Sequence, residues 1–82
     1  MSPELDTLDQ LLGGNMSLGL VRALFESQER FTRALSLMLS AGEVCLIGVE
    51  GTEVPYWQWR AALGGGVEAQ LSITEAGARR IC

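Results

Sequence analysis

Side-chain chemistry near neutral pH draws mostly on histidine, reactive cysteine and clustered carboxylates, and this chain offers little of it. It has no histidine, so the side chain most used as general acid, general base and metal ligand is missing. Two cysteines, Cys45 and Cys82, are too few and too isolated for a zinc site or a disulfide framework. Cys45 lies in an apolar run with no neighbouring cation, which suits an inert thiol; the spacing leaves a bond to Cys82 open. The acids are scattered singly, and Gly64-Gly65-Gly66 lacks the Lys-Ser/Thr that follows in a phosphate loop, so it reads as a turn. The expectation is a protein that is not an enzyme and needs no cofactor or metal.

What remains is binding chemistry. Arg30 and Arg33 fall in a helical stretch with Ser36 and Ser40, a set that can address phosphates or base edges. Each arginine also has an acid four residues before it, Glu26 and Glu29, in the favourable order for a pair along a helix, so a plain surface ion pair is the competing reading. Trp57 and Trp59 share parity and would project from one strand face with Pro55. They read as core or as a partner or dimer interface rather than as a platform for bases, because no basic residues surround them.

These residues need elements to hold them. The 82 residues, 48% hydrophobic and 20% charged, suit one domain over residues 1–82 and leave no room for a second core. Ser2-Pro3-Glu4 is a helix start, followed by Leu5, Leu8, Leu11 and Leu12 at helical spacing and a stop at Gly13-Gly14-Asn15. A second helix begins near Asn15 or Ser17, with Leu20, Val21, Leu24 and Phe25 on one face. A third runs from Gln28 to Ala41, turning Phe31, Ala34, Leu35, Met38 and Leu39 inward and ending at Gly42.

Beyond Gly42 the period changes from helical to alternating. Residues Glu43–Val49, Val54–Ala61 and Val67–Ile73 read as three strands, with Ala61–Leu63 open to a helical turn, and Thr74 caps a last short helix from Glu75. The fold expected is therefore α+β: three helices, a three-stranded antiparallel β-meander and a C-terminal helix. The core set is Leu8, Leu20, Leu24, Phe31, Leu35, Met38, Val44, Leu46, Leu71 and Ile73.

Two stretches together resemble bacterial winged-helix transcriptional regulators. Leu20-Val21, Leu24, Ser27, Phe31, Leu35, Met38, Gly42 and Val44 match the spacings of a helix-turn-helix entering its first wing strand. Leu71-Ser72-Ile73-Thr74-Glu75-Ala76-Gly77 followed by Ile81 is similar to that family's Leu-Thr-Glu-x-Gly-x-x-x-Leu exit from the wing. The resemblance implies double-stranded DNA as partner, the third helix as recognition helix, and Arg30, Arg33, Ser36, Ser40 and Arg60 as contacts. It also implies binding as a homodimer on paired half-sites.

The charge points elsewhere. Ten Asp and Glu against six Arg, with no Lys, give a net charge of −4, opposite to a nucleic-acid footprint, and only residues 17–42 lean positive, with three Arg against two Glu. The alternative is an acidic protein-interaction module, an adaptor or assembly factor without DNA chemistry. In either case Trp57 and Trp59, with Leu5, Leu8 and Leu12, supply apolar surface for a homodimer or another protein partner. The acids near the N-terminus and the lack of a long apolar run are read as a cytoplasmic protein with no membrane span.

Overall fold

A computed structural model describes residues 2–81. Helix α1 spans Pro3–Leu11 and starts as its sequence dictates, the Ser2 hydroxyl accepting from the Leu5 amide at 3.2 Å. Buried Thr7 donates its hydroxyl to the Pro3 carbonyl at 2.7 Å, and Leu8 and Leu11 face the core. After a two-residue strand, β1 (Met16–Ser17), comes the single-turn helix α2 (Leu18–Arg22), capped by Ser17.

Helix α3 (Gln28–Ser40) is capped by Ser27, whose hydroxyl accepts from the Arg30 amide at 3.1 Å. It buries Phe31, Ala34, Leu35, Met38 and Leu39, the inward set its 3.6-residue period predicts, and ends at Gly42, whose φ of +74° only glycine adopts readily. Strand β2 (Val44–Gly48) follows. A 3-10 turn (Tyr56–Gln58) leads directly into α4 (Trp59–Leu63), then strand β3 (Ala69–Ile73) and helix α5 (Glu75–Ile81).

The three strands form one antiparallel sheet in the order β1-β3-β2, with Met16 opposite Leu71, and Leu46 opposite Leu71 on the other side. Val44, Leu46, Ala69 and Leu71 point to the helices, and Cys45, Ile47, Gln70 and Ser72 alternate to the outer face. One core cluster joins them to α1, α3, Val21, Phe25, Val54, Ala62 and Leu63.

The α+β class holds, but the sheet is not a meander. The expected strand over Val54–Ala61 does not form: Glu53 makes a lone bridge to Ile47, and the backbone then turns at Pro55 into the 3-10 turn and α4. Pro55 fixes φ at −67° and has no amide for a ladder, and the Ala61-Ala62-Leu63 run is strongly helix-forming, so the alternation of apolar and polar residues there is accidental. The third strand is β1 instead, too short to announce itself by period. Leu20, an expected core residue, is 61% exposed, because a single turn can aim only Val21 squarely inward; Leu24 and Ile73 pack at the core's margin.

The chain's end is fastened to the α3–β2 junction. The Thr74 amide donates to the Glu43 carbonyl at 3.0 Å, its hydroxyl donates to the Gly42 carbonyl and accepts from the Gly77 amide, and Arg80 pairs with Glu43 at 2.7 Å. Gly77 is pressed against the α3–β2 junction so closely that a Cβ there would fall 2.1 Å from the Glu43 carbonyl oxygen. The Gly77→Ala protein is therefore expected to lose about 1–3 kcal/mol in urea unfolding, through forced displacement of α5, and an unchanged midpoint would contradict this contact.

Candidate nucleic-acid interface

The residues expected to touch DNA all lie on described, solvent-facing parts of the molecule. With the apolar stripe of α3 buried, Glu29, Arg33 and Ser40 project outward and Ser36 is half-buried beside them; Arg30 borders this face. Arg60 is exposed on α4, which docks against α3.

That docking runs through Gln28. Its amide nitrogen donates to the Leu63 carbonyl at 2.8 Å and to the Thr32 hydroxyl at 3.2 Å, while its oxygen accepts from Arg22 Nε at 3.1 Å. Arg22 also donates to the Phe25 carbonyl at 3.0 Å. One side chain thus ties the end of α2, the start of α3 and α4 together. Neither Arg22 nor Gln28 was marked by the sequence, because the partners of Gln28 become neighbours only once α4 forms.

The ion pairs open as a competing reading are present. Arg30 lies 3.4 Å from Glu26 and Arg33 lies 3.0 Å from Glu29. Both pairs are exposed, so each contributes only about 0.3–0.5 kcal/mol, little enough for a phosphate to displace the glutamate. Leu37, 67% exposed, flanks a cleft of about 380 Å³ between α1 and α3, which also brings Glu4 toward Arg30 and Arg33.

By element, charge is segregated. Residues of α2, α3, α4 and the α2–α3 turn carry Arg22, Arg30, Arg33 and Arg60 against Glu26 and Glu29, a net +2, while the remaining residues carry −6. Cys45 is partly buried on the outer sheet face, where desolvation first, and then the Glu53 carboxylate, raise its thiol pKa despite a hydrogen bond with Ser72 that works the other way. It is therefore protonated and a poor nucleophile near neutral pH. Cys82 lies outside the described residues. Among the described residues no group of three or more Cys, Asp or Glu could hold a metal ion, and no helix is long and apolar enough to cross a membrane.

The surface foreseen for self-pairing does not survive as one patch. Leu8 is wholly inside the core, Leu5 packs against it, and Leu12 alone of the three leucines is exposed. The two tryptophans part as well, because the chain is helical where a strand was expected. Trp59 is half-buried, its indole N–H donating to the Val54 carbonyl at 3.2 Å, whereas Trp57 is 71% exposed. Tyr56, 72% exposed, stands edge-to-face against both, at 5.3 Å from Trp57 and 6.4 Å from Trp59.

Comparisons of the chain with protein-family models, curated proteins and solved structures returned no match.

The two tryptophans are expected to behave differently in thermal and urea unfolding. Trp59→Phe loses about 1 kcal/mol with the indole hydrogen bond, whereas Trp57→Ala stays within about 0.5 kcal/mol of the parent. Equal losses would contradict this division of roles.

Proposed function

We propose that the domain binds duplex DNA in the manner of a winged-helix regulator, laying the outward face of α3 in the major groove. Arg30, Arg33, Ser36 and Ser40 are the residues that meet the DNA, and Arg60 on α4 reaches phosphate beside it. The observation that carries this reading is that α3 keeps its polar face exposed, within a stretch of an otherwise acidic chain, α2 to α3, that carries more arginine than glutamate.

Three further points support it. The element order, helix, short strand, helix, helix, strand, then a 3-10 turn and short helix, strand, helix, keeps the three helices ahead of two paired strands that the winged-helix resemblance implies, with α4 inserted between those strands. Ser36 beside Arg33 and Ser40 at the end of α3 are small enough to let the helix approach base edges closely. The acids elsewhere repel phosphate and so orient the encounter.

The same charge count sets the strength. Three arginines, Arg30, Arg33 and Arg60, against Glu26 and Glu29 neutralise few phosphates, so one copy binds weakly, and two copies on adjacent half-sites are needed for useful affinity. In this reading the long β2–β3 connection is not a basic hairpin wing but a brace that holds α3 from the side.

Fluorescence anisotropy with a pool of randomised duplexes at low salt is expected to show binding at micromolar protein. Arg30→Ala and Arg33→Ala should each weaken it and each lower the slope of log affinity against log salt by about 1. No binding at tens of micromolar protein at low salt would overturn the proposal.

A further inference from the structure

The two α3 arginines assigned to DNA are the ones the chain keeps occupied. Arg30 pairs with Glu26 at 3.4 Å and Arg33 with Glu29 at 3.0 Å, whereas Arg60 makes no ion pair among the described residues. The other two ion-paired arginines serve the C-terminal helix: Arg79 pairs with Glu75 within α5, and Arg80 with Glu43 at the α3–β2 junction. Arg22 is turned inward to the Phe25 carbonyl and Gln28.

The occupation is built into the start of α3. Each glutamate stands four residues before its arginine, the order that favours pairing along a helix, and Glu29 in the first turn also meets the positive end of the α3 dipole. Glu4 lines the same cleft as Glu26, Arg30 and Arg33, so three carboxylates attend two guanidinium groups. A carboxylate oxygen accepts from a guanidinium as a phosphate oxygen does, so these glutamates hold the contacts that DNA would take. The paired side chains are 70% to 81% exposed, which leaves a duplex free to reach them and exchange one anion for the other.

We infer that Glu26 and Glu29 are internal stand-ins for phosphate, an autoinhibitory mask on α3 that DNA displaces before Arg30 and Arg33 can engage it. The inference rests on the DNA reading given above. Because the exchange costs the same on any sequence, it pushes phosphate-only binding below useful strength and leaves occupancy to duplexes that add base contacts.

The test is fluorescence anisotropy of the full chain with randomised duplexes over a series of low salt concentrations. It compares the parent with Glu26→Gln/Glu29→Gln and with Glu50→Gln/Glu68→Gln, an equal change in net charge at a cleft along the β2–β3 connection that no residue of α3 lines. The first variant is expected to bind about fourfold tighter than the parent, about twofold for each pair released, with a steeper salt dependence. Its urea midpoint is no higher than the parent's, so the gain does not come from a firmer helix. The second variant gains less. The mask is overturned, with the DNA reading intact, if the parent binds and Glu26→Gln/Glu29→Gln binds no tighter or gains only what Glu50→Gln/Glu68→Gln gains. Binding by neither the parent nor Glu26→Gln/Glu29→Gln overturns both.

Discussion

The last strand holds the molecule together. β3 lies in the middle of the sheet, and its Leu71 faces Met16 on one side and Leu46 on the other, so neither edge strand has a partner until the chain has nearly finished. Each strand pairing therefore spans a long stretch of sequence, and the entropy of closing those loops must be offset by the packing that the pairings complete. The Gly42–Thr74–Gly77 fastening completes this closure by tying the strand's exit to the end of α3. A two-residue β1 has no standing of its own, and it persists because β3 holds it and because Ser17 passes directly from strand to helix cap.

That arrangement decides what the surface can offer. With β3 central, the connection from β2 must leave the sheet and return, and it spends the excursion packing α4 on the flank of α3 through Gln28 and Leu63. α3 is thereby supported by the core below and by α4 at the side, leaving one polar face clear. The same excursion leaves Tyr56 and Trp57 in solvent.

Local signals in the sequence carried well into the structure. The Ser2 cap of α1, the inward stripe of α3, the stop at Gly42 and the Thr74 cap of α5 depend on neighbours within a turn or two, which residue type and period encode directly. The parts that did not carry over depend on distant partners. Met16–Ser17 is extended because Leu71 and Gln70 lie beside it, and nothing in two residues reveals that. Val54–Ala61 alternates like a strand yet turns helical because Trp59 bonds back to Val54 and Pro55 cannot join a ladder. Of the candidate site, the outward positions on α3 were legible from its period, whereas the separation of Trp57 from Trp59 and the burial of Leu8 followed from tertiary packing.

The central claim is that α3, and not the aromatic turn, meets nucleic acid. The most direct measurement is a backbone amide NMR titration of the full chain with a short duplex at low salt. The account predicts shift changes at Gln28–Ser40 and at Arg60, with residues 49–58 unmoved. Changes centred on Tyr56 and Trp57 with α3 silent, or no changes anywhere at a duplex excess, would contradict it.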